Sequence, residues 1–178
     1  NLKLDFNSTS FSHPKSGDLS LANPDKSIRD FWIEHTKRCR RIADAMGKAQ
    51  GAPCIMNIWV HDGSKDLTVE RYRYRQILKE SLDEILAEDL PHMKSCLEAK
   101  LFGIGLEAYT VGSHDFFAGY CSKNNAIYTL DTGHYEPTEN VSDMVSSLLL
   151  FVPELMLHVS RPMHWDSDHV TLFDDNTR

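Results

Sequence analysis

Short apolar runs alternate along this chain with longer stretches whose apolar residues recur at helical spacing. The apolar runs predict five strands, at residues 2–6, 54–60, 95–102, 126–131 and 155–160. The helical patterns between them cover residues 27–47, 68–87, 113–122 and 141–151. In the second helix we expect Thr68 at the N-cap and Tyr72 on the inner side. Repeated strand–helix–strand units predict a parallel sheet with right-handed crossovers.

The positions of polar residues help to choose between two α/β architectures. Four polar residues lie within or at the carboxyl ends of the predicted strands: Asn57, Glu98, Asp131 and His158. In a barrel these positions converge on one mouth, whereas an open doubly wound sheet would spread them along a row. A complete barrel needs about 250 residues, and this chain has 178. We therefore predict a partial (β/α)8 TIM barrel of about five βα units, forming one domain over residues 1–178.

Composition and charge narrow the range of partners. The net charge of −7, from 26 acidic and 19 basic side chains, argues against nucleic acid, which requires clustered Lys and Arg. The one basic cluster, residues 37–41, is predicted to be a solvated helix face. No apolar run approaches the ~18 residues of a membrane span. The four cysteines show no CxxC spacing, which indicates a reduced, cytoplasmic protein.

Two acidic segments follow predicted strands. Asp166 and Asp168 stand two residues apart in an extended loop, so both carboxylates can face one hard divalent cation. Most such pairs, however, lie on solvated loops. Asp131 ends the fourth strand, and His134 follows three residues later. This pair suits two neighbouring metals, or one metal and a base, but a turn with Asp as its cap explains the Asp and the glycine equally well.

Charged residues also occupy otherwise apolar strands. Glu98 and Lys100 lie on one face of the third strand, where a buried pair must be satisfied mutually or by a ligand. They are either a structural ion pair or a metal ligand beside a substrate-binding Lys. His158, taken alone, would more often be a satisfied core histidine than a metal ligand. Because these residues fall on three successive strand ends, we favour a metal site that uses oxygen and imidazole ligands. Such ligands favour Mn²⁺, Co²⁺, Zn²⁺ or Mg²⁺.

Several specific strings make the chain similar to bacterial L-rhamnose isomerases over essentially its whole length. They are LDFN (4–7), FSHP (11–14), MNIW (56–59), DGSKD (62–66), EAKLFGIG (98–105), YTVGS (109–113), LDTGH (130–134), PTE (137–139), HVSRP (158–162) and WDSDH (165–169). The resemblance implies a (β/α)8 barrel, a homotetramer and the interconversion of L-rhamnose and L-rhamnulose. It also implies two metal sites, with Mn²⁺ the expected metal, and no organic cofactor.

The resemblance assigns roles to individual residues. It places Glu98, Asp131 and His158 around a structural metal, whose fourth ligand, a further Asp, has no counterpart here. It places His134, Asp166 and Asp168 around a catalytic metal. The segment 158–168 would then bridge two adjacent sites.

The substrate-binding residues follow from the same resemblance. Lys100 is expected to contact the open-chain sugar near O1, while Trp59 and Phe6 form an apolar wall of the sugar pocket. The chain opens without Met, and the family's first two strands and last strand have no counterpart here. We therefore expect this chain alone to be inactive.

Aldose–ketose isomerisation moves a hydrogen from C2 to C1, and we favour a metal-assisted hydride shift over an enediol route. A metal-dependent sugar epimerase or a related barrel lyase is the nearest alternative. A metallo-hydrolase fits less well, because no residue resembles a nucleophile with its base. A non-catalytic fragment that binds metal weakly is the alternative from a different class.

Overall fold

A five-stranded parallel sheet forms the centre of the structure, a computed structural model that describes residues 2–66, 68–100, 108–136, 138–161, 168–175 and 177–178. Its strands are β1 (Phe6–Ser8), β2 (Cys54–Trp59), β4 (Met93–Glu98), β6 (Ile127–Asp131) and β7 (Leu155–His158). A separate antiparallel pair joins β3 (Gly63–Ser64) to β5 (Tyr109–Thr110). The small pair lies in the loops that follow β2 and β4, next to the carboxyl ends of the main strands.

The order of the strands in the sheet follows their order in the chain: β1, β2, β4, β6, β7. Every neighbouring pair is parallel. A doubly wound sheet reverses its strand order at a switch point, and this sheet has no reversal among its described strands. The predicted α/β class with a parallel sheet is therefore confirmed, and the winding is that of a partial barrel.

In the described residues, four α-helices connect the strands: α1 (Lys26–Gln50), α2 (Arg71–Leu86), α3 (His114–Asn124) and α4 (Val141–Leu148). At the start of α1 the Asp25 carboxylate accepts a hydrogen bond of 2.8 Å from the Ser27 amide, which satisfies a free N–H of the first turn. The helix ends at Gly51, whose φ of 66° is the left-handed conformation that glycine adopts at little cost.

The main core lies between the sheet and α1, α2 and α3. The central strands supply its most buried side chains, which include Met56, Ile58, Leu97 and Leu130, and the helices supply Trp32, Leu78, Leu82 and Phe117. These strands are nearly continuous apolar runs, as expected where both faces of a sheet are covered. The assignment of residues 1–178 to one domain stays a prediction.

The structure moves the starts of two predicted elements. The first strand begins at Phe6, and Leu2 and Leu4 are fully and largely exposed, respectively. Helix α2 begins at Arg71 with Glu70 at its N-cap, and the Thr68 hydroxyl accepts from the Glu70 amide before the helix starts. Thr68 is therefore not the cap, and Tyr72, predicted on the inner side, is 77% exposed.

The basic cluster at residues 37–41 is also not wholly solvated. Arg40 is buried, and its guanidinium donates to the Glu88 carbonyl (2.9 Å), the Ser95 hydroxyl (3.1 Å) and the Ile85 carbonyl. These acceptors lie at the end of α2 and on β4. The prediction of a solvated face was therefore wrong for Arg40, which ties the last turn of α2 to α1.

No helix in the described part of the chain combines the length and the apolar character that crossing a membrane requires.

Candidate metal centre

The carboxyl ends of three parallel strands supply the candidate site. Glu98 is the last residue of β4, Asp131 of β6 and His158 of β7. Asp131 pairs with His158 in register, and Glu98 pairs with Thr129 two residues before Asp131. Because side chains alternate along a strand and paired residues share a face, all three point the same way. Glu98 and Asp131 are buried, whereas the His158 side chain is 32% exposed.

Two imidazoles share the two carboxylates. His158 Nδ1 lies 3.2 Å from Glu98 Oε1 and 3.5 Å from Asp131 Oδ2. His134 comes from a short 3₁₀ turn after β6; its Nδ1 is 3.3 Å from Glu98 Oε1, and its Nε2 is 3.7 Å from Asp131 Oδ2. Donor atoms of Glu98, Asp131 and His134 all lie within 4.8 Å of one another. The structure thus brings four of the predicted metal ligands into one cluster.

A backbone contact selects the nitrogen of His134 that can bind a metal. His134 Nδ1 lies 3.1 Å from the Ala99 carbonyl oxygen, which can only accept a hydrogen bond. Nδ1 therefore carries the proton in the neutral ring, and Nε2, on the side of Asp131, keeps the free lone pair. A carbonyl on the other ring nitrogen is the usual way in which a metal-binding His is oriented.

The electrostatics of the cluster call for a cation between the carboxylates. Hydrogen bonds to Asp131 and Glu98 raise the pKa of His158 to about 10. Burial acts to raise the pKa of Asp131, but the His158 hydrogen bond and the His134 charge outweigh it and lower that pKa. The His158 imidazolium thus offsets part of the negative charge of two buried carboxylates, which are costly to leave unpaired. A divalent cation fits the same set of oxygen and nitrogen donors, with release of the proton.

Polar residues behind Glu98 orient its carboxylate. Asn57, which is buried, donates through Nδ2 to Glu98 Oε2 and accepts a 2.8 Å hydrogen bond from the Thr129 hydroxyl. These contacts hold one oxygen of Glu98, so that Oε1 faces the two histidines. The sequence pattern marks Asn57 as a polar strand residue without indicating this role. Thr129 was missed, although its spacing of two from Asp131 places both on one face of β6.

Lys100 and Trp59 lie together beside this cluster. Trp59 pairs with Glu98 in register, and the Lys100 ammonium stands 4.5 Å from the centroid of the Trp59 ring. Lys100 is buried, and its backbone amide donates to the Gly112 carbonyl at 3.2 Å. A buried ammonium over an aromatic face is stabilised by the ring quadrupole.

The turn that carries His134 packs closely against the residues after β7. The Thr132 hydroxyl donates to the Ser160 carbonyl (2.6 Å) and accepts from the Ser160 amide (2.9 Å). A Cβ at Gly133 would lie 2.2 Å from Ser160 Oγ and 3.4 Å from Asp168 Oδ1. A side chain at position 133 would therefore displace the Ser160 hydroxyl, and Asp168 lies beside the turn.

Two other predicted site residues are not in the cluster as described. Asp166 lies outside the described residues. Phe6 pairs with Met56 in register and packs against the main core, on the face of β1 opposite Asn7. Since Asn7 pairs with Asn57, Phe6 points away from the face that carries the site. The role of Phe6 in a sugar pocket stays a prediction.

The fold and the site together define a class: barrel-type α/β proteins with carboxylate and imidazole side chains clustered at the strand ends. A solved structure of a D-tagatose 3-epimerase-like protein matches with a TM-score of 0.57 and 14% identity, over 90% of this chain and 57% of that one. At this identity the match shows the fold alone.

Comparison with known proteins then identifies the family. The family model for L-rhamnose isomerase (RhaA) matches residues 1–178. The L-rhamnose isomerase of Bacteroides thetaiotaomicron is 71% identical over 99% of this chain and 42% of its own length. Those of Pectobacterium carotovorum subsp. carotovorum and Mannheimia succiniciproducens are 53% and 52% identical, over 99% and 100% of this chain and 43% of their lengths. The chain belongs to the L-rhamnose isomerase family and spans less than half the length of these relatives.

Proposed function

We propose that this chain supplies the metal-binding centre of an L-rhamnose isomerase, an enzyme that interconverts L-rhamnose and L-rhamnulose. The observation that carries the proposal is the convergence of Glu98, Asp131, His134 and His158 at one end of a barrel-type sheet. Membership of the family adds the substrate class.

The two histidines support the proposal of two adjacent metal ions. Glu98, Asp131 and His158 would hold a structural ion. His134, through Nε2, would hold a catalytic ion together with Asp166 and Asp168. Since both histidines contact the same two carboxylates, the two sites would be neighbours. The mixed oxygen and imidazole donors favour Mn²⁺, with Co²⁺, Zn²⁺ and Mg²⁺ as alternatives.

In the proposed reaction a hydride moves from C2 to C1 of the open-chain sugar, and the proton of the O2 hydroxyl passes to O1. The bound cations would supply Lewis acidity at the two neighbouring sugar oxygens. The ammonium of Lys100 would stabilise negative charge that develops on O1. The Trp59 ring, which lies over that ammonium at 4.5 Å, would exclude water from the reacting end of the sugar and offer an apolar surface to the substrate.

The proposal extends to assembly and location. The complete enzyme would be a homotetramer with a small sugar as its ligand, as the family resemblance implies. The four cysteines are all buried free thiols, which fits a protein of the reducing cytoplasm.

A chimera tests this function. The chain would replace the matching segment of the Bacteroides thetaiotaomicron relative, be stripped with EDTA and be assayed on L-rhamnose with and without Mn²⁺. We expect a ketose product, activity that returns with Mn²⁺, and a loss of at least about 100-fold in Glu98→Gln, because one charged metal ligand is lost. Glu80→Gln, on the exposed surface of α2, is the matched control.

Other outcomes separate the alternatives. An epimer instead of a ketose would replace isomerase with epimerase, and metal-independent turnover would remove the proposed role of the cluster. High incorporation of solvent deuterium at C1 would favour the enediol route over the hydride shift. Turnover by the chain without the rest of the chimera would contradict the expectation that it is inactive alone.

A further inference from the structure

A second layer of side chains lies directly behind the turn that carries His134. We propose that His114, the first residue of α3, is a positioning residue that holds His134 in place for metal binding. The proposal rests on the proposed function only in taking His134 as a metal ligand. His114 is 20 residues from His134 in the chain, and nothing in the sequence pattern links the two.

The contacts of His114 form a chain with a defined direction. Its Nε2 lies 2.8 Å from the His134 carbonyl oxygen, and its Nδ1 lies 3.2 Å from the Tyr128 hydroxyl. A carbonyl only accepts, so Nε2 must carry a proton and donate it. In the neutral ring Nδ1 is then the acceptor, and the Tyr128 hydroxyl donates to it. Tyr135, 3.2 Å from Tyr128, donates to Tyr128 in turn.

Stacking against Tyr135 also restrains the imidazole ring of His114. The imidazole of His114 lies parallel to the ring of Tyr135, with centroids 3.9 Å apart and 15° between the planes. Tyr135 follows His134 immediately in the chain. His114 therefore holds one residue through its carbonyl and the next through its ring, and Tyr128 and Tyr135 are themselves almost fully buried. The ring cannot tilt without losing one of these contacts.

His114 is itself anchored to a rigid element. It begins α3, whose N-cap residue Ser113 accepts from the Phe116 amide (3.4 Å) and from the Arg75 guanidinium (3.3 Å). At the other end of the turn, Thr132 is bonded reciprocally to Ser160. The turn is thus held at both ends, and His114 secures the end that carries the ligand. Without the N–H donor of His114, the His134 peptide could move, and the position of His134 Nε2 would be less well defined.

The experiment compares variants that separate the polar contacts from the stacking. In the chimera described above, His114→Phe keeps an aromatic ring against Tyr135 but removes both nitrogens. His114→Gln can still donate to the His134 carbonyl, and Tyr135→Phe removes only the last hydroxyl. The metal-free proteins are titrated with Co²⁺, and the site that depends on His134 is identified as the one lost in His134→Ala. Melting temperature and the separate values of kcat and KM are also measured.

We expect His114→Phe to weaken Co²⁺ binding at that site by about tenfold or more, the scale of outer-layer contacts to metal ligands. It should lower kcat more than it raises KM. His114→Gln should recover most of the affinity. Tyr135→Phe should stay within about twofold of the unchanged protein, because the Tyr135 hydroxyl is separated from the His134 carbonyl by the hydrogen bonds of Tyr128 and His114.

Unchanged Co²⁺ affinity in His114→Phe would overturn the proposal. So would equal losses in the Phe and Gln variants that follow a common fall in melting temperature, since this would show a purely structural role. Should His114→Phe fail to fold, Tyr128→Phe decides instead: an affinity equal to that of the unchanged protein rejects the proposal, and a loss of about two- to fivefold supports it. A chimera that binds Co²⁺ through His134 but does not isomerise L-rhamnose would reject the proposed function alone.

Discussion

Strands β6 and β7 are neighbours in one sheet but differ sharply in how they are covered. All five residues of β6 are buried, whereas Leu157 in β7 is 53% exposed and Val159 just beyond it is 55% exposed. Helices α1, α2 and α3 pack over the sheet as far as β6. The described part of the chain leaves the outer side of β7 open.

The candidate site takes ligands from both regions. Its carboxylates, Glu98 and Asp131, come from enclosed strands, where an unpaired charge is costly. His158 and Asp168 come from the open edge. The enclosed part should therefore determine whether the chain folds, and the open edge should affect mainly the site. Three comparisons of enclosed with exposed side chains test how far burial explains this division.

The largest difference is expected between two leucines. Leu97 in β4 is fully buried, and Leu157 in β7 is half exposed. Leu97→Ala removes apolar contacts and leaves a cavity, so the free energy of unfolding should fall by about 3 kcal/mol. Leu157→Ala should lower it by less than about 1 kcal/mol. Urea unfolding of both variants measures the difference, and equal losses would show that the edge of the sheet is as well packed as its centre.

A smaller difference is expected between two adjacent arginines of α1. Arg40→Met leaves the Ile85 and Glu88 carbonyls without their buried donor, which should cost about 2 kcal/mol of unfolding free energy. Arg41→Met removes only exposed ion pairs, with Glu34 and Glu88, so its unfolding curve should overlay that of the unchanged protein. If both variants unfold alike, water replaces the guanidinium of Arg40 and the buried contacts contribute little.

The third comparison concerns pH and the metal-free protein. The pKa of His158 is about 10 in the folded chain because of Asp131 and Glu98, against about 6.5 when unfolded. The folded state binds the extra proton between these values, so this stabilisation is complete below about pH 6.5 and is lost as the pH rises towards 10. With EDTA present, unfolding midpoints should fall over this range. His158→Asn should show a flatter profile, and His169→Asn, at an exposed position, should follow the unchanged protein.

The sequence predicts the enclosed strands better than the edges of the fold. The predicted ranges for β2, β4 and β6 overlap the observed strands because long apolar runs mark strands covered on both faces. The first strand was predicted too early in the chain. Leu2 and Leu4 alternate with polar residues as in a strand, but β1 pairs with β2 only from Phe6. The pair β3 and β5 was not predicted, because two residues per strand show no periodicity.

Predictions about individual side chains fail where contacts between distant parts of the chain determine whether a side chain is buried. The charge of Arg40 indicates exposure, yet carbonyls from α2 satisfy it in the interior. Glu98, Asp131 and His158 could be recognised because a polar residue at the end of an apolar strand has no packing role there. The hydrogen bonds by which Asn57 and His114 support the site could not be predicted from the sequence. They depend on which residues come into contact across the sheet and at the start of α3.

The four cysteines have a practical consequence for spectroscopy. All are buried, and burial raises the pKa of Cys96 and of Cys121 to about 12. Maleimide and iodoacetamide reagents react with thiolates, so the native thiols should label slowly at neutral pH. A cysteine introduced at Val69 or Val170, both largely exposed, would carry a fluorophore or spin label in the otherwise unaltered chain.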